Sequence, residues 1–318
     1  MSADYSEKIL TVKDLEVQFN LRGQLLTAIR GISLDIYKGE SLAIVGESGS
    51  GKSVFTKTFM GMLDKNGKVT KGEILYNGMD LAKFSSEKDW LKIRGKEVAM
   101  VFQDPMASLN ERAKVDYIVS EGLYNIGGFS SEEERQLKVK KAMLDVGLPP
   151  EFATRFPHEF SGGQRQRIGI ARVLVMHPEL IIADEPISAL DVSIRAQVLN
   201  LLSDLQKEYG LTYLFIAHDL SIMRFITNRL AVIHKGRIVE LSETEKLFAH
   251  PLHPYTKSLL SAIPQPDPLS EKGKKTLSYD PACHDYSVDK PEWLELEDGH
   301  FVLANNKEAE QYRKELAN

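Results

Sequence analysis

Cysteine is nearly absent: Cys283 is the single one in 318 residues, so neither an internal disulfide framework nor a multi-cysteine metal site can be assembled within the chain. A reducing, cytosolic setting fits best. Long hydrophobic runs are missing as well. The apolar stretches 180–183 and 213–217 are a few residues long, far below the roughly 18 to 20 residues needed to cross a bilayer. If the chain serves a membrane, other chains do the crossing. Positive charge is not in excess either, since 40 Lys and Arg against 45 Asp and Glu leave a net charge of −5. Nucleic-acid binders usually carry a basic stripe, so nucleic acid is not an expected partner. Residues 1–9 include charges and no apolar stretch of secretory-signal length, which predicts a chain that is not exported.

The hydrophobic share of 42% and charged share of 27% are those of an ordinary globular protein with a sizeable core. The length suits one large domain plus an appendage. Short β-branched and aliphatic runs at 10–19, 33–37, 41–45, 98–102, 180–183, 213–217 and 230–234 read as strands. Several are almost continuously apolar, as strands buried on both faces of a mainly parallel sheet must be. Helical periodicity lies between them at 52–62, 131–146, 163–176 and 193–209, and this alternation predicts an α/β layered core. The segment from about 81 to 166 is, after one strand, mostly polar and helical, and reads as an insertion into that core. Beyond Glu240, Pro251, Pro254, Pro264, Pro266 and Pro268 punctuate a tail with few core-building residues. The expected division is 1–240 for the main domain and 241–318 for the extension.

Gly46-Glu47-Ser48-Gly49-Ser50-Gly51-Lys52-Ser53 fills every position of G-x-x-x-x-G-K-[ST], after an apolar strand and before a helical run. That context is what the phosphate-loop motif requires. The glycines let successive backbone N–H groups curl around phosphate oxygens, and the helix start adds its positive dipole end. Lys52 is expected to reach the terminal phosphates of ATP and the Ser53 hydroxyl to ligate Mg2+. The apolar run 180–183 ends in Asp184-Glu185, and consecutive strand residues face opposite ways, so the two acids can hold different jobs. Asp184 is expected near the metal and Glu185 beside the attacking water. His218 ends another apolar strand and can bond the γ-phosphate. Gln103 follows the strand at 98–102, where its amide can contact metal and water.

Phe160-Ser161-Gly162-Gly163-Gln164 resembles the signature of ATP-binding cassette proteins, with Phe where Leu is commoner. In sequence order, the phosphate loop, Gln103, this signature, Asp184-Glu185, the Ser188-Ala189-Leu190-Asp191 loop and His218 together match the family's motifs across about residues 9–240. The resemblance implies a P-loop NTPase core of RecA-like type, with an inserted helical subdomain. It further implies that Ser161, Gly162, Gly163 and Gln164 of one subunit cover the ATP held on the phosphate loop of another, with Asp191 nearby, so that two ATPs lie between two cassettes. Phe19 matches the aromatic that stacks on adenine.

In the tail, His253-Pro254-Tyr255-Thr256, Leu259-Leu260 and Ala262-Ile263-Pro264 look like the C-terminal extension of oligopeptide and dipeptide permease ATPases. Residues up to about Pro105 look more like one of the two paired ATPases of such permeases, and those from about Ser108 more like the other. The resemblance implies an importer ATPase working with a second, different ATPase subunit, two integral membrane subunits and an extracytoplasmic peptide-binding protein, at the cytoplasmic face of the membrane. A homodimer, another solute such as nickel, and a soluble cassette protein outside transport stay open as alternatives. Some relatives hold an iron–sulfur cluster with a cysteine quartet in this region; with Cys283 alone, none is expected here.

Overall fold

The runs 41–45, 98–101, 180–183, 212–217 and 229–233 leave no face for water, and they form the centre of the molecule. A computed structural model describes residues 5–264 and 276–317. Its strands are β1 (Lys8–Leu21), β2 (Gln24–Tyr37), β3 (Ser41–Val45), β4 (Gly67–Tyr76), β5 (Met79–Asp80), β6 (Val98–Val101), β7 (Leu180–Asp184), β8 (Thr212–Ala217), β9 (Arg229–His234), β10 (Arg237–Glu243), β11 (Glu292–Glu297) and β12 (His300–Ala304). The helices of two turns or more are α1 (Lys52–Phe59), α2 (Val115–Ile126), α3 (Glu132–Asp145), α4 (Gly162–Leu174), α5 (Val192–Tyr209), α6 (Pro254–Ser261) and α7 (Asn306–Leu316).

Strands β9, β3, β8, β7 and β6 lie side by side in parallel, and β10, β12 and β11 extend the same sheet antiparallel from β9. Because side chains alternate along a strand, each central strand feeds two cores. Ala43, Val45, Ala183 and Phe215 face the helices α2 to α5, while Leu42, Ile44, Ile182 and Leu214 face α1 and the antiparallel sheet β2-β1-β4-β5. Burying a Leu or Ile side chain contributes about 1.5–3 kcal/mol, so substituting a charge on either face of β3 or β7 would open one of these cores. Helix α1 stops at Phe59, short of the expected 62. Gly61 turns left-handed at φ 58, and a β-carbon there would lie 2.1 Å from the Trp90 ring.

Two expectations need correction. The helical insertion was placed at 81–166, yet β6 pairs with β7 inside the central sheet, so the helical excursion starts after it. The tail is not poor in core-building residues: Leu252, Val302, Ala304, Ala309 and Tyr312 form a third buried cluster. Hairpin β11–β12 also docks on β10 through Glu240–Val302 and Leu241–Phe301 pairing, so the sheet runs unbroken across the boundary drawn at 240/241. Among the described residues, no helix is long and apolar enough to cross a membrane.

Candidate active site

The carboxyl ends of the parallel strands are where an open α/β sheet leaves its crevice, and here the strand order decides which side chains meet. β3 runs into the phosphate loop, β8 into His218, β7 into Glu185 and β6 into Gln103. Since β8, β7 and β6 are neighbours, the last three side chains are brought together. Gln103 Nε2 donates to Glu185 Oε2 at 3.0 Å, and His218 Nδ1 lies 3.3 Å from Glu185 Oε1. Glu185 sits at φ 45, outside the strand's conformation. That turn is held by its N–H donating to the Ile216 carbonyl at 2.9 Å and by its own carbonyl accepting from Ser188 N–H and Oγ. Strained backbone of this kind persists where surrounding bonds over-determine it.

The phosphate loop wraps a buried cation. Lys52 is 6% exposed, and its Nζ donates to the carbonyls of Gly46 at 2.7 Å and Glu47 at 3.0 Å. Among the described residues it forms no ion pair. Burial pushes its pKa below the ordinary lysine range, opposed by the charges of Glu185, Asp184 and Glu47. Helix α1 starts at Gly51, left-handed at φ 107 with no side-chain cap, which leaves its first N–H groups open to an anion. Gly46 is required for a different reason: a β-carbon would fall 2.2 Å from the Ile233 carbonyl oxygen.

Around this loop is a cleft of about 720 Å³ lined by Phe19, Ser48, Gly49, Gly51, Lys52, Ser53, Gln103, Glu185 and His218. The Phe19 ring lies over Gly67, where a β-carbon would come within 2.4 Å of it. Gly46, Glu47 and Ser50 are not among the lining residues. Ser50 Oγ is buried without a hydrogen-bond partner. Asp184 is not among the lining residues; its pKa is raised by burial first and the Glu185 charge second, with Lys52 and Lys57 opposing. A hydroxyl (Ser53), a carboxyl (Asp184) and an amide (Gln103) make an oxygen donor set that fits a hard divalent cation such as Mg2+.

The predicted signature lies elsewhere. Ser161, Gly162, Gly163, Gln164 and Asp191 are absent from the cleft lining. They gather where α4 and α5 begin: a β-carbon on Gly163 would meet Ile194 Cγ2 at 2.6 Å, and one on Gly162 would meet Leu190 Cδ2 at 3.8 Å. Ser161 Oγ accepts the Gln164 N–H, and Gln164 Oε1 accepts the Ser161 N–H, a reciprocal cap on an exposed helix tip. Sequence reasoning overlooked Lys235 and Gly236, which line the cleft from the turn after β9, and Arg30 on β2. The signal was available: a Lys-Gly pair between two apolar runs is a hairpin turn, and β9 ends on the same side as the phosphate loop.

Comparison with known families decides the class. The family described as "ABC transporter" matches residues 29–188, and "Oligopeptide/dipeptide transporter, C-terminal region" matches 239–287. The chain belongs to the ABC transporter ATPases. Among relatives of this ATPase, the oligopeptide transport ATP-binding protein OppF of Streptococcus pyogenes serotype M1 is 57% identical over 98% of this chain and 100% of its own length. AmiF of Streptococcus pneumoniae, also an oligopeptide transport ATP-binding protein, is 55% identical over 98% of the chain and 99% of its own. The dipeptide transport ATP-binding protein DppF of Lactococcus lactis subsp. cremoris is 47% identical over 97% of both. The ATP-binding cassette MJ0796, solved as a post-hydrolysis dimer bound to ADP and Pi, superposes with TM-score 0.65 at 29% identity, covering 74% of this chain and 98% of that one. CbiO1 from Clostridium perfringens, part of the cbiONQ transporter complex, superposes with TM-score 0.67 at 32% identity, covering 77% and 92%.

Proposed function

We propose that this ABC ATPase hydrolyses ATP to drive uptake of oligopeptides, acting from the cytoplasmic face of a membrane on two integral membrane subunits supplied with peptide by an extracytoplasmic binding protein. The printed functions of its relatives and the matched C-terminal region support peptides as cargo. The observation that carries the mechanism is the separation of the two phosphate-reading elements: the cleft holds Lys52, Glu185 and His218, and the Ser161 helix tip is not part of it.

In this reading ATP lies on the phosphate loop with Phe19 against the base, Lys52 on the terminal phosphates and the open N–H groups of α1 on their oxygens. Ser53, Gln103 and Asp184 would hold Mg2+, which would supply charge neutralisation to the triphosphate. Glu185, steadied by Gln103 and His218, accepts the proton of the attacking water, and His218 bonds the γ-phosphate. Ser161, Gly162, Gly163 and Gln164, with Asp191 beside them, close over the ATP of a second, different ATPase subunit, whose own signature completes this cleft. The loop 104–110 grips a cytoplasmic helix of a membrane subunit, so closure is passed on to the transport path.

The test is ATPase activity of the chain alone, with its partner ATPase, and in vesicles with the membrane subunits, peptide and binding protein. Turnover is expected to be close to background alone and to rise at each addition, reaching its maximum only with peptide-loaded binding protein. Full turnover by the isolated monomer would remove the need for a second subunit.

A further inference from the structure

Tyr255, in the C-terminal extension, reaches the phosphate loop. Tyr255 is 1% exposed, and its hydroxyl oxygen accepts the Glu47 N–H at 3.3 Å. The Gly46–Glu47 peptide is therefore held at both ends, since its carbonyl oxygen, on Gly46, accepts from Lys52 Nζ at 2.7 Å. The ring of Tyr255 also packs on His234, centroid to centroid 4.2 Å. His234 precedes Lys235 and Gly236 in the cleft wall, and Gly236 N–H donates to the Ser50 carbonyl at 2.8 Å.

Tyr255 is placed by a buried carboxylate. Glu240, wholly buried on β10, accepts the N–H groups of Leu252 at 2.8 Å and His253 at 3.0 Å, and lies 2.8 Å from His300 Nε2 on β12. His253 then caps α6, its Nδ1 accepting the Tyr255 N–H at 3.1 Å. The bonds to the Glu240 carboxylate are of the charge-assisted kind, and the neutral His253–Tyr255 and Tyr255–Glu47 bonds continue the path from hairpin β11–β12 to the phosphate loop.

We infer that Tyr255 is a positioning residue for ATP: the extension supplies the hydroxyl that fixes the Gly46–Glu47 peptide and, through its carbonyl, the Lys52 ammonium. The inference rests on the reading of Lys52 as the phosphate ligand made above. Burial pushes the Tyr255 phenol up to about 12, so it stays a neutral hydroxyl at working pH.

Tyr255→Phe removes one oxygen and keeps the ring. In titrations of the full-length chain with a fluorescent ATP analogue, its Kd is expected to rise about 3- to 10-fold, the range for one lost hydrogen bond. In the assembled transporter KM for ATP should rise in step, with kcat within about twofold, because the bond acts on the loop before the transition state. In a Lys52→Met background the same change should add less than about twofold, since neighbouring parts of one network couple. Wild-type ATP affinity in Tyr255→Phe, with weakened binding only when Tyr255→Leu also removes the ring, would overturn the inference and leave packing alone. An undiminished effect in the Lys52→Met background would overturn it too. Wild-type affinity in Lys52→Met by itself would instead overturn the reading of the cleft.

Discussion

Two glycine-rich turns in this chain open a helix, and they are built for opposite situations. At α1 the turn ends in left-handed Gly51, with no side-chain cap, beside a lysine that is 6% exposed. At α4 the N-cap is Ser161, its hydroxyl taken by the Gln164 N–H, on an exposed tip. The first helix start holds a cation and open N–H groups inside a cleft; the second lies on an exposed tip, where the nearby Arg165 turns back to donate to the Phe160 carbonyl at 3.0 Å. In the proposed reading, binding strength within one chain comes from the first. The second, resting on Ile194 and Leu190 at the head of α5, suits the nucleotide of another subunit.

The sharpest way to break this contrast is at Glu185. Glu185→Gln keeps a hydrogen-bonding group between Gln103 and His218 and removes the proton acceptor. Turnover of the assembled transporter should fall by about 10²- to 10⁴-fold, the usual worth of a general base, while ATP binding by the isolated chain persists. Turnover within a few-fold of wild type would mean that another group activates the water.

His218→Ala comes next. Losing a bond to a charged phosphate should slow assembled turnover about 10- to 100-fold, measured as steady-state ATPase at saturating ATP. The signature turn gives a smaller effect with an internal control. Gly163→Ala pushes a β-carbon to 2.6 Å from Ile194 Cγ2, whereas Gly162→Ala has 3.8 Å to Leu190. Gly163→Ala should cost about 10-fold in assembled turnover through displacement of the helix tip, and Gly162→Ala about twofold as a surface change. Neither should alter ATP binding by the isolated chain. Equal losses of binding in both would place the tip at the chain's own nucleotide.

The smallest expected effect concerns a third helix start, at α6. Burial first, then the charges of His284 and His234, push His253 down to about 3. Its folded pKa lies below the ordinary 6.5, so its contribution to stability is full above about 6.5 and is lost as pH falls toward 3. Asn at this position keeps an acceptor for the Tyr255 N–H and does not titrate. Between pH 7 and pH 5 the melting temperature of wild type should therefore fall further than that of His253→Asn, by calorimetry.

The central strands were readable because full burial leaves an unmistakable run: β3 was expected at 41–45 and lies at Ser41–Val45. The phosphate loop was readable because its chemistry is local to eight residues. The gathering of Gln103, Glu185 and His218 was not visible in the same way, since it depends on β6, β7 and β8 lying in adjacent places. The hairpin β11–β12 was missed although its signal is strong: period-two alternation flanks Asp298-Gly299, a favoured two-residue turn. Prolines earlier in the tail drew attention from it. Glu240 could not have been found, because its role comes from Leu252, His253 and His300, three groups distant in sequence.

The most direct measurement is a structure of the assembled transporter carrying Glu185→Gln with ATP and Mg2+ bound. Ser161 should lie against the γ-phosphate of a nucleotide held by the other ATPase subunit, with this chain's Lys52 on a different ATP. A single nucleotide touched by both Lys52 and Ser161 of the same polypeptide would contradict the account.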